Sequence, residues 1–275
     1  MNNYDTIVRE LYDNEKILYH YTTIESFFNI LNSNEIWLSR YDFLNDPLEF
    51  NYAESIVKNT IKNRNTFFKT IDWEELINYI RKSIEDSFIF SLSKKQDNLY
   101  LWSHYSKFKG LCIHLSVLEH LPLNEFCAKQ KDVNGYEILQ GSAIYNKEKQ
   151  IEIVEKIFDD YESVFYKRGN IQSEARRIAL INMLTFCFSA FKQEGLINEE
   201  EYRFVFKMNK KNNLKFRYDN NLIVPYIKIP LRIFKINGIT LSPKLIDNRT
   251  IKSIDTFLKY KGINCDINES KIILR

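Results

Sequence analysis

Ile17-Leu-Tyr-His20-Tyr-Thr22-Thr-Ile-Glu25-Ser-Phe-Phe-Asn-Ile-Leu31 is where the chain announces its architecture. Ile17 to Thr22 alternates as a half-buried strand does, which puts Leu18, His20 and Thr22 on one face. Thr22 followed three residues later by Glu25 reads as a capping box that starts a helix. Ile24, Phe27, Phe28 and Leu31 then take the spacing of a helical stripe that lies on a core. His20 therefore sits at a strand-to-helix junction, where a scaffold can aim it and a helix N-terminus favours anions.

Working outward, Glu35–Ser39 reads as a second strand after an Asn32-Ser-Asn34 turn. Asp46 caps a further helix, with Pro47 in its first turn and Glu49 three residues beyond the cap. Helices are expected over 48–62 and 73–85, a strand over 87–93, a helix over 98–107 and a strand over 110–115. A strand over 136–145 precedes helices over 147–167 and 171–194, the second stopped by Gly195. Strands follow over 201–206, 214–218, 222–229 and 236–241, then a helix near 250–261 and a closing strand over 271–274. Strands at both ends of a helical middle predict an α+β fold, mainly antiparallel, with a helical insertion near 146–195. No Gly-, Ser- or Pro-rich linker splits residues 1–275, which read as one domain.

Composition narrows the function classes. A 44% hydrophobic content with 20 Phe and 17 Tyr supplies a sizeable core and excludes disorder. The net charge of +3, from 39 basic and 36 acidic residues, does not mark a nucleic-acid binder, although a local patch can hide under a neutral sum. Cys112, Cys127, Cys187 and Cys265 have no CxxC spacing and read as free thiols of a cytoplasmic protein. The first ten residues hold no apolar signal region. The longest uncharged run, Ile178 to Phe191, is shorter than the about 20 residues a membrane span needs and reads as a buried helix.

HExxH, P-loop, GxGxxG and GxSxG patterns are all missing, so no metal site, nucleotide loop or serine elbow is expected. His114 and His120 read as packing or surface residues, and His104 points away from a buried Leu101, Trp102 and Tyr105 stripe. Glu199-Glu200-Glu201-Tyr202-Arg203 lies between an apolar helix and an alternating strand. Glu199 and Glu201 could project together, bind a substrate hydroxyl and stabilise a developing positive charge. As a solvated run they would instead be a surface loop with Arg203 as ion-pair partner.

Several segments in order resemble a bacterial family known only as a domain of unknown function. They are Leu18-Tyr-His20-Tyr-Thr22, Phe43-Leu-Asn45-Asp46-Pro47-Leu-Glu49, and Ser91-Leu-Ser93 with Asp97, Leu101-Trp102 and Tyr105. Gly110, Lys192, Glu199-x-Glu201-x-Arg203, and Ile236-Asn-Gly-Ile-Thr-Leu241 with Ile272-Ile-Leu-Arg275 complete the pattern. That layout is similar to the ADP-ribosyltransferase superfamily of the His–Tyr–Glu type, which implies a split antiparallel β-sandwich that clasps NAD. By this resemblance His20 holds the adenosine ribose, with Tyr19 and Thr22 beside it. Glu201, or else Glu199, contacts the nicotinamide ribose, and Tyr41, Trp102 or Tyr105 stacks on nicotinamide. Ser39, Asn45, Ser93, Asp97 and Arg203 complete the cofactor-binding set. The resemblance further implies NAD as substrate, no metal and no membrane. A protein or nucleic acid would accept the ADP-ribose, in a toxin or antiphage role that could have an antitoxin partner. A nucleotide-binding module without activity, and a metal-independent nuclease or phosphodiesterase, are the alternatives.

Overall fold

A computed structural model describes residues 17–44, 46, 48–62, 72–117, 136–167, 174–208, 214–219, 221–245 and 247–274. Ten strands join in one mostly antiparallel sheet: β1 (Leu18–Thr23), β2 (Glu35–Arg40), β3 (Ser87–Ser93), β4 (Gly110–Val117), β5 (Tyr136–Ser142), β6 (Glu201–Met208), β7 (Lys215–Asp219), β8 (Leu222–Pro230), β9 (Phe234–Leu241) and β10 (Asp266–Glu269). Seven helices accompany them: α1 (Ile24–Ser33), α2 (Glu49–Lys62), α3 (Trp73–Glu85), α4 (Leu99–Ser106), α5 (Lys147–Lys167), α6 (Glu174–Ala190) and α7 (Asn248–Tyr260). The architecture is α+β.

Strand β3 organises the sheet. One of its edges pairs with β6 along its whole length, from Ser87↔Lys207 to Ser93↔Glu201. The opposite edge pairs with β1 only through Tyr19↔Ser93 and with β2 only through Ser39↔Ile89 and Arg40↔Phe88. Between those contacts the two wings diverge. One wing runs β1, β4, β9, β10 and the other runs β2, β8, β7. Residues 90–92 therefore present a strand edge that faces a fork rather than a neighbouring strand.

Alternation along β3 and β6 sends opposite parities to two cores. Phe88, Phe90 and Leu92 join Tyr202, Phe204 and Phe206 beneath α1 and α7, where Phe27, Leu31, Ile254 and Leu258 are buried. Ile89 and Val205 face the other way, into a core built by α2, α3, α5 and α6. A third cluster holds α4 on the β1 wing through Tyr21, Leu101, Trp102 and Cys112. The apolar run Ile178–Phe191 is largely buried in α6 and the residue after it, although Ile178 itself is 47% exposed. No helix among the described residues is long and apolar enough to cross a membrane.

Several boundaries differ from the sequence reading. Helix α1 is capped by Thr23 rather than Thr22, with Thr23 Oγ1 accepting from Ser26 N at 3.1 Å. The reason is the ladder with β4, which continues to Thr23↔Gly110 and keeps Thr22 extended. The helix also runs on to Ser33, and Asn34 closes it in the left-handed conformation. Helix α6 ends at Ala190, not near 194, because Phe191 forms a parallel bridge with Ile144. Gly195 lies inside a 3₁₀ turn, Glu194–Glu199, and does not stop the helix. The last strand is β10, parallel to β9, while residues 271–274 are not a strand. Asp97 draws the chain away there, accepting from Ser270 Oγ and Lys271 N, each at 2.8 Å.

Candidate functional site

The fork opens a cleft of about 1000 Å³, at the upper end of the about 300–1000 Å³ that ligand sites occupy. Its floor is β3 from Ile89 to Ser93, whose edge is unpaired over residues 90–92. The β1 wing contributes Tyr19, His20, Tyr21 and Thr22, and the β2 wing contributes Trp37, Ser39 and Arg217. Its far end is walled by Tyr100, His104 and Tyr105 of α4 together with Glu49, Lys192, Glu199, Glu201 and Arg203. His20 and the acidic pair, nearly two hundred residues apart in sequence, thus line one hollow.

His20 fills the wedge where β1 leaves β3. Its ring packs on Phe90 with centroids 5.0 Å apart and hydrogen-bonds the Ser91 backbone. Burial pulls its pKa from 6.5 to about 4, against the opposing effect of that bond. The imidazole is neutral at pH 7, so one ring nitrogen serves Ser91 and the other is free to accept from a hydroxyl. His114, by contrast, is a packed core histidine: it is bonded to Thr240 Oγ1 at 2.8 Å, and burial lowers its pKa to about 4. His104 is exposed as expected, stacked on Tyr100 at 3.9 Å.

The acidic run is not a solvated loop. Glu199, Glu201, Arg203, Lys192 and Glu49 are all less than 9% exposed and form one chain of ion pairs. Arg203 binds Glu49 directly and donates to the Ser189 carbonyl at 2.8 Å. Its NH2 donates to Glu201 Oε2 at 2.9 Å, while Nε sits 2.9 Å from Oε1 as an ion pair without hydrogen-bond alignment. Lys192 Nζ reaches Glu201 Oε2 at 2.7 Å and also binds Glu199 Oε2. Burial would raise the Glu201 pKa, but the cations Arg203 and Lys192 overcome it and hold the group at about 2. Burial likewise works against charge on Lys192, yet Glu201 and its fellow carboxylates keep that ammonium protonated above the usual lysine range.

The backbone explains why these groups meet. Ser93↔Glu201 and Ser91↔Arg203 set Glu201 and Arg203 on the helical face of the sheet, beside α6. Breaking α6 at Ala190 extends Phe191 and Lys192 along Ile144, so the lysine side chain turns back under the turn that carries Glu199. Ser93 Oγ donates to the Glu199 carbonyl at 2.8 Å and Asn98 Nδ2 to the Asn198 carbonyl at 2.8 Å. Lys94 N adds a bond to the Glu200 carbonyl at 2.9 Å. Ser93 is therefore a brace for the turn.

The remaining expected site residues divide. Thr22 and Ser39 line the cleft, Ser39 accepting from Arg217 NH2 at 2.8 Å. Tyr19 lines it too, edge-on to His114 at 5.1 Å. Of the competing aromatics, only Tyr105 faces the hollow: it is 36% exposed, not part of a buried stripe, and its hydroxyl points at Glu199 Oε1 from 3.4 Å. Burial and the negative charges of Glu199 and Glu201 push its pKa up. Trp102 is fully buried, its indole donates to Asp97 at 2.6 Å, and neither residue lines the cleft. Tyr41 is also buried, its hydroxyl spent on the Phe188 carbonyl at 2.6 Å. Asp46 lines the cleft and accepts from Leu48 N at 2.9 Å. Asn45, Pro47, Cys127 and His120 lie outside the described residues.

Two features escaped the sequence. Glu49 reads as the third residue of a capping pattern, but its carboxylate binds Arg203, 154 positions away. The Tyr100–His104 stack has the i, i+4 spacing of one helix face and could have been read as a pair. Among the described residues no group of three or more His, Cys, Asp and Glu could hold a metal ion. Comparisons with protein-family models, with curated proteins and with solved structures return no match.

Proposed function

We propose that the fork cleft binds NAD and that the protein transfers ADP-ribose from it to a macromolecule, as its resemblance to the His–Tyr–Glu ADP-ribosyltransferases implies. The observation that carries this reading is the convergence of a neutral His20 and the Glu199/Glu201 pair on one hollow large enough for a dinucleotide. In the reaction the C1′–nitrogen bond to nicotinamide breaks and its electron pair leaves with the ring nitrogen, cancelling the ring's positive charge. A nucleophile of the acceptor, or water in its absence, then bonds C1′ and gives up a proton to solvent. The ribose passes through an oxocarbenium-like state, which a nearby carboxylate stabilises by charge and by a hydrogen bond to a ribose hydroxyl.

His20 suits the binding half of this task. A neutral imidazole held by the Ser91 backbone offers one acceptor to a ribose hydroxyl without moving. Tyr105 and the Tyr100–His104 stack supply flat surfaces for the departing ring. A phosphodiesterase that uses His20 as general acid fits less well, because such a role wants a pKa near neutrality and burial holds this one at about 4.

The test is nicotinamide release from NAD by the purified chain, followed by chromatography, with His20→Gln as comparison. Release by the native protein, and a rise in KM with little change in kcat for His20→Gln, is the expected result. A native protein that binds NAD but never releases nicotinamide is a nucleotide-binding module instead.

A further inference from the structure

We infer that Glu199, with the Tyr105 hydroxyl, is the carboxylate that meets the positively charged nicotinamide riboside, and that Glu201 is a positioning residue. The assignment rests on the NAD reading and divides the work of the acidic pair.

Coordination of the two carboxylates differs. Both oxygens of Glu201 already face cations: Oε1 is 2.9 Å from Arg203 Nε, and Oε2 takes Arg203 NH2 and Lys192 Nζ. Arg203 cannot swing aside to release it, since Glu49 and the Ser189 carbonyl hold its other nitrogen. The Glu201 backbone N–H is occupied as well, donating to the Tyr145 hydroxyl at 3.0 Å. Oε2 thus holds two donors and Oε1 lies against a guanidinium that is itself pinned, so both oxygens of Glu201 are turned to cations of the array rather than to a substrate.

Glu199 spends only Oε2 on Lys192. Its Oε1 has the Tyr105 hydroxyl at 3.4 Å, a distance at the limit of hydrogen bonding, and that hydroxyl belongs to a side chain open to the cleft. The turn that carries it is fixed at three successive carbonyls, Asn198 by Asn98, Glu199 by Ser93 and Glu200 by Lys94. A rigid turn that carries one under-coordinated oxygen is a preorganised acceptor.

Charge leads to the same residue. Among the described residues, Glu49, Glu199 and Glu201 pair with Lys192 and Arg203, three carboxylates against two cations. The array therefore carries one surplus negative charge, and Glu199, which meets Lys192 alone and shares that cation with Glu201, holds part of it beside Tyr105. The nicotinamide ring of NAD is cationic, its reduced form is neutral and nearly the same shape, and the ribose becomes cationic as the ring leaves. A surplus negative charge at that point favours the oxidised dinucleotide and the transition state alike. Glu201 and Lys192 then act through Glu199, by holding its second oxygen and fixing its direction.

Calorimetric titration of the full chain with NAD and with NADH, alongside nicotinamide release, separates the roles. The native protein should prefer NAD to NADH. Glu199→Gln keeps the inner four charges balanced, so it should fold and melt close to the native protein while release falls by about 100-fold. It should also lose the preference for NAD, and Glu199→Asp should restore part of it. Tyr105→Phe should slow release while leaving the preference in place. If Glu199→Gln does not fold, Glu199→Asp and Tyr105→Phe decide: both matching the native protein in release and preference overturns the assignment. Release within about threefold of native in a folded Glu199→Gln that still prefers NAD also overturns it while leaving the NAD reading intact. A native protein that binds neither dinucleotide sinks both.

Discussion

Lys192 and Arg203 each stand between two carboxylates in a setting that water barely reaches. Such an array gains little net stability from its ion pairs, but removing one member leaves an uncompensated buried charge, at a cost of about 3–5 kcal/mol. Arg203→Met should therefore destabilise the protein by about that amount in urea unfolding, and Glu49→Gln added to it should recover part of the loss. Acid exposes the same residues in sequence. Unfolded histidines take up protons below their ordinary 6.5, whereas folded His20 and His114 resist until about 4, so stability falls as pH drops through that window. Each contributes on the order of 3 kcal/mol, and His114→Gln should flatten this part of the profile in urea midpoints taken from pH 7 to 4. Glu201 adds a second, lower descent: its folded pKa of about 2 lies below the ordinary 4.5, so its stabilisation is present above 4.5 and is lost toward 2. Little of this was legible in the chain. Glu-Glu-Glu-x-Arg looks the same whether it is solvated or buried, because the groups that neutralise it come from Lys192, across the break after α6, and from Glu49 on α2.

Elements were easier to read than their ends. Strand β3 and helices α2 and α3 match their patterns closely, since hydrophobic period is a local property. The fork was not legible, because β1 and β2 share one edge of β3 through three residue pairs that no local pattern encodes. Another long-range pairing, the ladder of β1 with β4, moved the α1 cap by one residue. Gly110 shows how tightly the β1 wing is built: a Cβ there would lie 2.1 Å from the Thr22 carbonyl oxygen and 2.7 Å from Ser106 Cβ. Gly110→Ala must push β1 from its place against α4, so it should cost at least about 3 kcal/mol. Hydrogen exchange at Thr22 and Thr23 should speed up in that variant, and unchanged exchange would mean the wing yields without strain. Asp97 ties the tail to the loop before α4 through Ser270 and Lys271, so Asp97→Ala should open residues 270–274 to protease before the rest of the protein unfolds.

For the whole molecule, the two wings on β3 form a split whose hollow gathers residues from the first strand to the seventh. Its charged end is built on a sheet and a braced turn rather than on a long loop, which is the arrangement that holds reacting groups to a fixed geometry. The β2 wing lines the hollow with Trp37, stacked on Tyr226 at 4.7 Å, and with Arg217. Diffraction from crystals grown with a non-hydrolysable NAD analogue tests the account most directly. The dinucleotide should lie along the free edge of β3, its adenosine ribose at His20 and its nicotinamide ring between Tyr105 and Glu199. An analogue found elsewhere on the protein, or a nicotinamide ring turned away from Glu199 toward solvent, would contradict it.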